Sequence, residues 1–127
     1  MTARLAIAAA AAGLGLLLAP AASGRDDDVL VRGVCTQAST AKLKLSEEDG
    51  RIEVELEIDQ NRNGVRWTVV LRRGARVLAR ATRVTRPPSG SFELRRVVAN
   101  LPGPDRLSAR ATSRSGEVCR AAAVFRG

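Results

Sequence analysis

The chain has no histidine and no tyrosine, and its 127 residues include only one tryptophan, two phenylalanines and two cysteines. Each shortage removes a class of chemistry. Without histidine the commonest general base is gone, and with it the usual partner of a catalytic serine or cysteine and most zinc sites. Two cysteines, Cys35 and Cys119, are too few for a metal cluster and enough for one disulfide. With so few aromatic side chains, any core must be filled by Val, Leu, Ile and Ala. Lysine is nearly absent as well: Lys42 and Lys44 are the only two, so the remaining basic residues are all arginine.

One long apolar run is present, and it opens the chain. Met1 to Arg4 carries a single positive side chain, and Leu5 to Leu18 is uninterrupted Ala, Leu, Ile and Gly. Pro20 breaks the run, and the small residues Ala21, Ala22, Ser23 and Gly24 follow. This order predicts a helical, cleavable secretory signal over residues 1–23, with the cut between residues 21 and 24. The run is short and Gly-interrupted for a membrane span, so no transmembrane segment is expected after processing. No twin-arginine pair precedes the run and no cysteine follows it, which favours the general export route and excludes a lipid anchor there. Residues 24–28 read as a flexible acidic leader, and residues 29–127 as one domain of roughly 100 residues. The expected location is extracellular or in the cell envelope, where Cys35 and Cys119 would be oxidised to a disulfide.

The charge is unevenly placed. The formal net charge is +8, yet beyond Asp59 the only acids are Glu93, Asp105 and Glu117, scattered among arginines. Such asymmetry suits a polyanionic partner. A GC-rich genome, which favours Arg over Lys and enriches Ala and Gly, would give the same composition without selection for binding.

Period-two alternation dominates the remainder. Ile52, Val54, Leu56 and Ile58 alternate with Glu53, Glu55, Glu57 and Asp59, which predicts a strand with one apolar and one acidic face. Asp49-Gly50 before it is a two-residue hairpin signal, setting Lys44 against Glu55, Lys42 against Glu57 and Leu43 against Leu56. A turn over Asn61 to Gly64 is then expected to bring Arg66 opposite Asp59, Arg72 opposite Glu53 and Trp67 opposite Ile58, completing a three-stranded meander. Further strands are predicted over Arg76 to Thr85 and over Ser91 to Asn100, the latter with a bulge at Arg95-Arg96. Arg86 to Gly90, with its Pro87-Pro88, reads as an extended crossover. Leu107, Ala109 and Ala111 should face inward on the next strand, and Cys119, Ala121, Ala123 and Phe125 on the last. The expected fold is all-β: an immunoglobulin-like antiparallel β-sandwich of about 7–8 strands, with a closed barrel as the alternative. The immunoglobulin likeness is one of architecture. Trp67 lies too far beyond Cys35, and no tyrosine is present for the corner motif.

Three motifs carry a resemblance. Asp59 to Trp67 reads D-x-N-x-x-G-x-x-W, Thr85 to Phe92 reads T-R-x-P-S-G-S-F, and Gly116 to Cys119 reads G-E-x-C. With a cysteine soon after the signal, the stretch from Val31 to Phe125 resembles small exported proteins of unknown function from GC-rich actinobacteria. The resemblance implies a fold and export, and no catalytic activity.

Several candidate sites follow. Asp59 to Gly64 matches the first half of a calcium loop, but Val70 stands where a bidentate Glu is needed, so a polar turn is expected and no metal or other cofactor. Trp67 shares a face with Val65, Val69 and Leu71 and is expected in the core rather than as a stacking platform. Arg76 and Arg80 on one outward face, and Arg106 and Arg110 on another, are the candidates for polyanion binding, without specific nucleic-acid recognition. The expected function is a non-enzymatic binding or structural module contacting an anionic envelope polymer or an extracellular protein. The alternative is an inhibitor of a secreted enzyme that presents Arg86 on the loop to Gly90.

Overall fold

The structure, a computed structural model, describes residues 27–127. The predicted signal segment, residues 1–23, and the first part of the leader lie outside the described residues. The strands are β1 (Val29–Arg32), β2 (Val34–Cys35), β3 (Thr40–Glu48), β4 (Arg51–Asp59), β5 (Arg66–Arg73), β6 (Arg76–Val84), β7 (Ser91–Val98), β8 (Asp105–Ser113) and β9 (Val118–Phe125). They form two antiparallel sheets packed face to face, a β-sandwich. One has four strands in the order β1-β3-β4-β7, the other five in the order β2-β9-β8-β5-β6. No helix among the described residues is long and apolar enough to cross a membrane.

The alternating segments build the two inner faces. Leu43 and Leu45 of β3, and Ile52, Leu56 and Ile58 of β4, are almost completely buried, and Trp67, Val69, Leu71 and Phe125 are buried on the other sheet. The small inward residues Ala109, Ala111, Ala121 and Ala123 of β8 and β9 leave room for these larger side chains, as close packing between sheets requires. Trp67 is a core residue, as expected. Its ring lies 6.0 Å from that of Phe92, and its Nε1 donates to Gln60 Oε1 at 3.0 Å.

The β3–β4 hairpin has the expected register: Lys44 faces Glu55, Lys42 faces Glu57 and Leu43 faces Leu56. Asp49 and Gly50 both take positive φ, 47° and 77°, as a type I′ turn demands. β1 and β2 are separated only by Gly33 and belong to different sheets. A Cβ there would lie 2.5 Å from the Arg120 carbonyl oxygen and 2.9 Å from Ala41 Cβ, so only glycine lets the chain step from one sheet to the other. Asp28, expected in a solvated leader, instead lies 3.8 Å from Lys44 Nζ.

Three expectations are corrected. The meander does not form, because β5 belongs to the opposite sheet and pairs with β6 and β8. The alternation on β5 specifies a buried face without specifying which sheet supplies it, and a sandwich needs both sheets covered. The edge of β4 is taken instead by β7, which sets Arg95 opposite Glu55. The bulge predicted at Arg95-Arg96 is also absent, the β4–β7 register being continuous from Asp59↔Ser91 to Ile52↔Val98. Arg96 keeps the core-side position opposite Val54 but sits on an edge strand, where a long side chain can reach water around the rim. The register shift lies at Leu71/Arg72 against β6. Finally, Arg86 to Gly90 does cross from the five-stranded to the four-stranded sheet, but as a closed turn rather than an extended segment. The Arg86 N–H donates to the Ser91 carbonyl, and the Gly90 N–H donates back to the Arg86 carbonyl. Gly90, at φ 66°, lies so close to the Asn61-Arg62 backbone that a Cβ would reach Arg62 N at 2.3 Å.

Candidate functional site

Cys35 and Cys119 are joined in a disulfide, directly opposite each other on β2 and β9 with their Cα atoms 4.0 Å apart. It ties the start of the sandwich to its last strand within one sheet. Beside it lies the buried carboxylate of Glu117, whose Oε2 accepts the N–H groups of Gln37 and Ser39 at 3.0 and 3.1 Å. Its Oε1 accepts the Ser39 hydroxyl. Cys35, Cys119 and Glu117 thus gather three potential metal-ligand atoms, but the sulfurs are bonded to each other and the carboxylate is engaged with the β2–β3 loop. At the turn that resembles half a calcium loop, Asp59 Oδ1 accepts the Asn61 N–H at 3.1 Å, an Asx turn of the kind that shapes polar loops.

The two outer faces differ in charge. On the four-stranded sheet, acids and bases are interleaved: Lys42, Glu57 and Glu93 form one cross-strand row, and Lys44, Glu55 and Arg95 the next. Arg95 grips Glu53 with both ends of its guanidinium, at 2.7 and 2.9 Å. That grip holds the Glu53 carboxyl below its ordinary range and raises Arg95.

Among the described residues, the outer face of the five-stranded sheet carries no carboxylate. Pairing and exposure place Arg66 and Arg72 of β5, Arg80 of β6, Arg106 and Arg110 of β8 and Arg120 of β9 there. Between them stand Thr68, Val70, Thr82, Ser108 and Thr112. Among the described residues none of these arginines makes a salt bridge. Arg110 stands opposite Arg120 on one side and Val70 on the other, and Val70 stands opposite Arg80. Two open depressions lie on this face. One, of about 590 Å³, is lined by Arg66, Thr68, Val70, Arg72, Arg110, Thr112 and Arg114. The other, of about 810 Å³, lies over β2, β8 and β9, and Arg72, Arg110 and Arg120 stand on its walls.

Of the predicted arginines, Arg80, Arg106 and Arg110 share this face. Arg76 does not join Arg80: it pairs with Arg73, whose side chain reaches the buried Asp105 at 3.0 Å, whereas Arg80 pairs with Val70. The register shift leaves Leu78 unpaired in β6 and breaks the parity between the two positions. Sequence reasoning assigned Arg66 and Arg72 to acids that lie on the other sheet, and it passed over Arg120. The signal was available, since Arg120 alternates with Cys119 and Ala121, both expected inside. Arg86 is exposed at the mouth of its turn, with its backbone N–H and carbonyl both occupied within the loop.

No protein family, curated protein or solved structure matches the chain.

Proposed function

We propose that this chain is an exported, non-enzymatic binding module that holds an anionic polymer of the envelope or extracellular space against its five-stranded sheet. One observation carries the reading: a sheet face presents arginines to solvent with no carboxylate among them in the described residues, while the acids of β4 and Glu93 of β7 lie on the outer face of the other sheet and Asp105 and Glu117 are buried. Guanidinium groups on a rigid sheet are forks for phosphate or carboxylate oxygens. A directly opposed pair such as Arg110 and Arg120 costs stability, a cost that a bound anion removes.

Export is supported by the tripartite order of residues 1–24 and by the disulfide, which suits an oxidising compartment. A non-enzymatic role is supported by the lack of histidine and by the engagement of Cys35, Cys119 and Glu117 in structure. In architecture we read the sandwich as immunoglobulin-like, and the motifs at Asp59, Thr85 and Gly116 as those of small exported actinobacterial proteins. The test is retention on a polyanion matrix at low and near-physiological salt. Steeply salt-dependent retention, lost in Arg110→Ser/Arg120→Ser, supports the reading; retention of that variant equal to wild type refutes it. Inhibition of trypsin-like proteases by wild type and not by Arg86→Ala would favour the inhibitor role instead.

A further inference from the structure

The outer face of β8 has a pattern of its own. Arg106, Ser108, Arg110 and Thr112 alternate with the buried Leu107, Ala109 and Ala111, and Arg114 continues the series just past the strand. A guanidinium thus recurs every fourth residue, with a hydroxyl midway. Two residues of strand advance about 6.7 Å, so the arginines repeat at about 13 Å along the strand.

The neighbouring β5 fills the gaps. Arg72 stands opposite Ser108, and Thr68 stands opposite Thr112. The Arg114 N–H donates to the Arg66 carbonyl at 2.8 Å, so these two arginines close the same end of the row. Read lengthwise over the β5–β8 pair, successive two-residue steps offer Arg106, then Arg72, then Arg110, then the two threonine hydroxyls, then Arg66 with Arg114. The depression of about 590 Å³ lies along the second half of this track, lined by its arginines together with Thr68, Val70 and Thr112. Every step therefore presents a donor to an anion.

We infer that the polymer is an extended phosphodiester chain without bases, lying lengthwise over β5 and β8 with about one phosphate per two-residue step. This inference rests on the proposed function and specifies its ligand. A step of about 6.7 Å is comparable to the repeat of an extended polyol-phosphate backbone. Phosphate oxygens accept both from guanidinium forks and from the hydroxyls that separate them. No aromatic side chain among the described residues stands on this face to stack bases. Trp67, Phe92 and Phe125 are buried, and the exposed large apolar residues are aliphatic, so the face offers no stacking platform.

The experiment titrates the purified protein with poly(glycerol phosphate), poly-glutamate and oligo(dT), matched in charge and read by calorimetry across a salt series. Poly(glycerol phosphate) should bind at least about 10-fold tighter than poly-glutamate and no more weakly than oligo(dT), with log K falling by about 3 per decade of salt for four or so neutralised phosphates. Thr68→Val/Thr112→Val should weaken it about 3- to 10-fold with the salt slope unchanged. Arg72→Ser/Arg110→Ser should lower both affinity and slope. Equal binding of poly-glutamate, or no effect of the threonine pair, overturns the phosphodiester track and leaves polyanion binding standing. Tighter binding of oligo(dT) replaces it with a nucleic-acid ligand. No binding of any polymer removes the functional reading as well.

Discussion

Arg110 and Arg120 lie directly opposite each other on neighbouring strands, both exposed, on a sheet face that carries no carboxylate among the described residues. Like charges at directly opposed positions destabilise a sheet by about 0.2–1 kcal/mol. Arg120→Thr should therefore raise stability by about 0.5 kcal/mol at low salt, even as it weakens polyanion binding. The gain should shrink as added salt screens the repulsion. Urea denaturation of both proteins at two salt concentrations measures it; a variant less stable than wild type at low salt would show that the pair is not under strain.

The disulfide closes a loop 84 residues long. Constraining the unfolded chain over that length is worth about 4.5 kcal/mol in the chain-entropy description, a large part of the roughly 5–15 kcal/mol that holds a domain together. Cys35→Ser/Cys119→Ser should lose most of that margin and unfold well below the wild-type midpoint. A double variant with an unchanged midpoint would place the stabilisation elsewhere.

Glu117 is 2% exposed and accepts from Gln37, Ser39 N–H and the Ser39 hydroxyl. Glu117→Ala leaves these donors without an acceptor. Each buried orphan costs about 1–3 kcal/mol, and water entering the space offsets part of it, so a loss of about 3 kcal/mol is expected. Protection of the Gln37 and Ser39 amides from hydrogen exchange should fall with it. Unchanged protection in the variant would mean that the carboxylate does not hold the loop.

Acid should weaken the other sheet. The Arg95 guanidinium lowers the Glu53 carboxyl from its ordinary 4.5, aided by Glu48 and Lys44 against the opposing effect of burial. A carboxylate depressed in the folded state adds stability above its unfolded-state value and loses it as pH falls through the folded one. Wild type should therefore exceed Arg95→Gln in stability at neutral pH, with the difference closing below about 4.5. A difference that does not change between neutral and acid pH would assign it to packing rather than to the ion pair.

The β3–β4 hairpin was legible in the sequence because Asp49-Gly50 admits few backbone solutions and the Lys–Glu register agrees with it. The inward sets Leu107–Ala109–Ala111 and Cys119–Ala121–Ala123–Phe125 followed from alternation alone. Alternation does not identify the partner sheet, however, so β5 was assigned beside β4 and its arginines to Glu53 and Asp59. The shift in β6 was equally hidden: Val77, Leu78 and Ala79 are all apolar, and the pattern does not mark which one is extra. Those two failures concealed the site. Only when β5 crosses to the other sheet do Arg66 and Arg72 join Arg106, Arg110 and Arg120 on a face without acids.

The central claim is that placement of the arginines, and not net charge, makes the binding surface. The most direct test compares Arg110→Ser/Arg120→Ser on the five-stranded sheet with Arg32→Ser/Arg51→Ser on the four-stranded side, each pair removing the same charge. Affinity for poly(glycerol phosphate) at near-physiological salt is the quantity to measure. The first pair should reduce it by 10-fold or more, and the second by less than 2-fold. Equal losses from the two pairs would contradict the account and reduce the arginine face to a solvated surface set by composition.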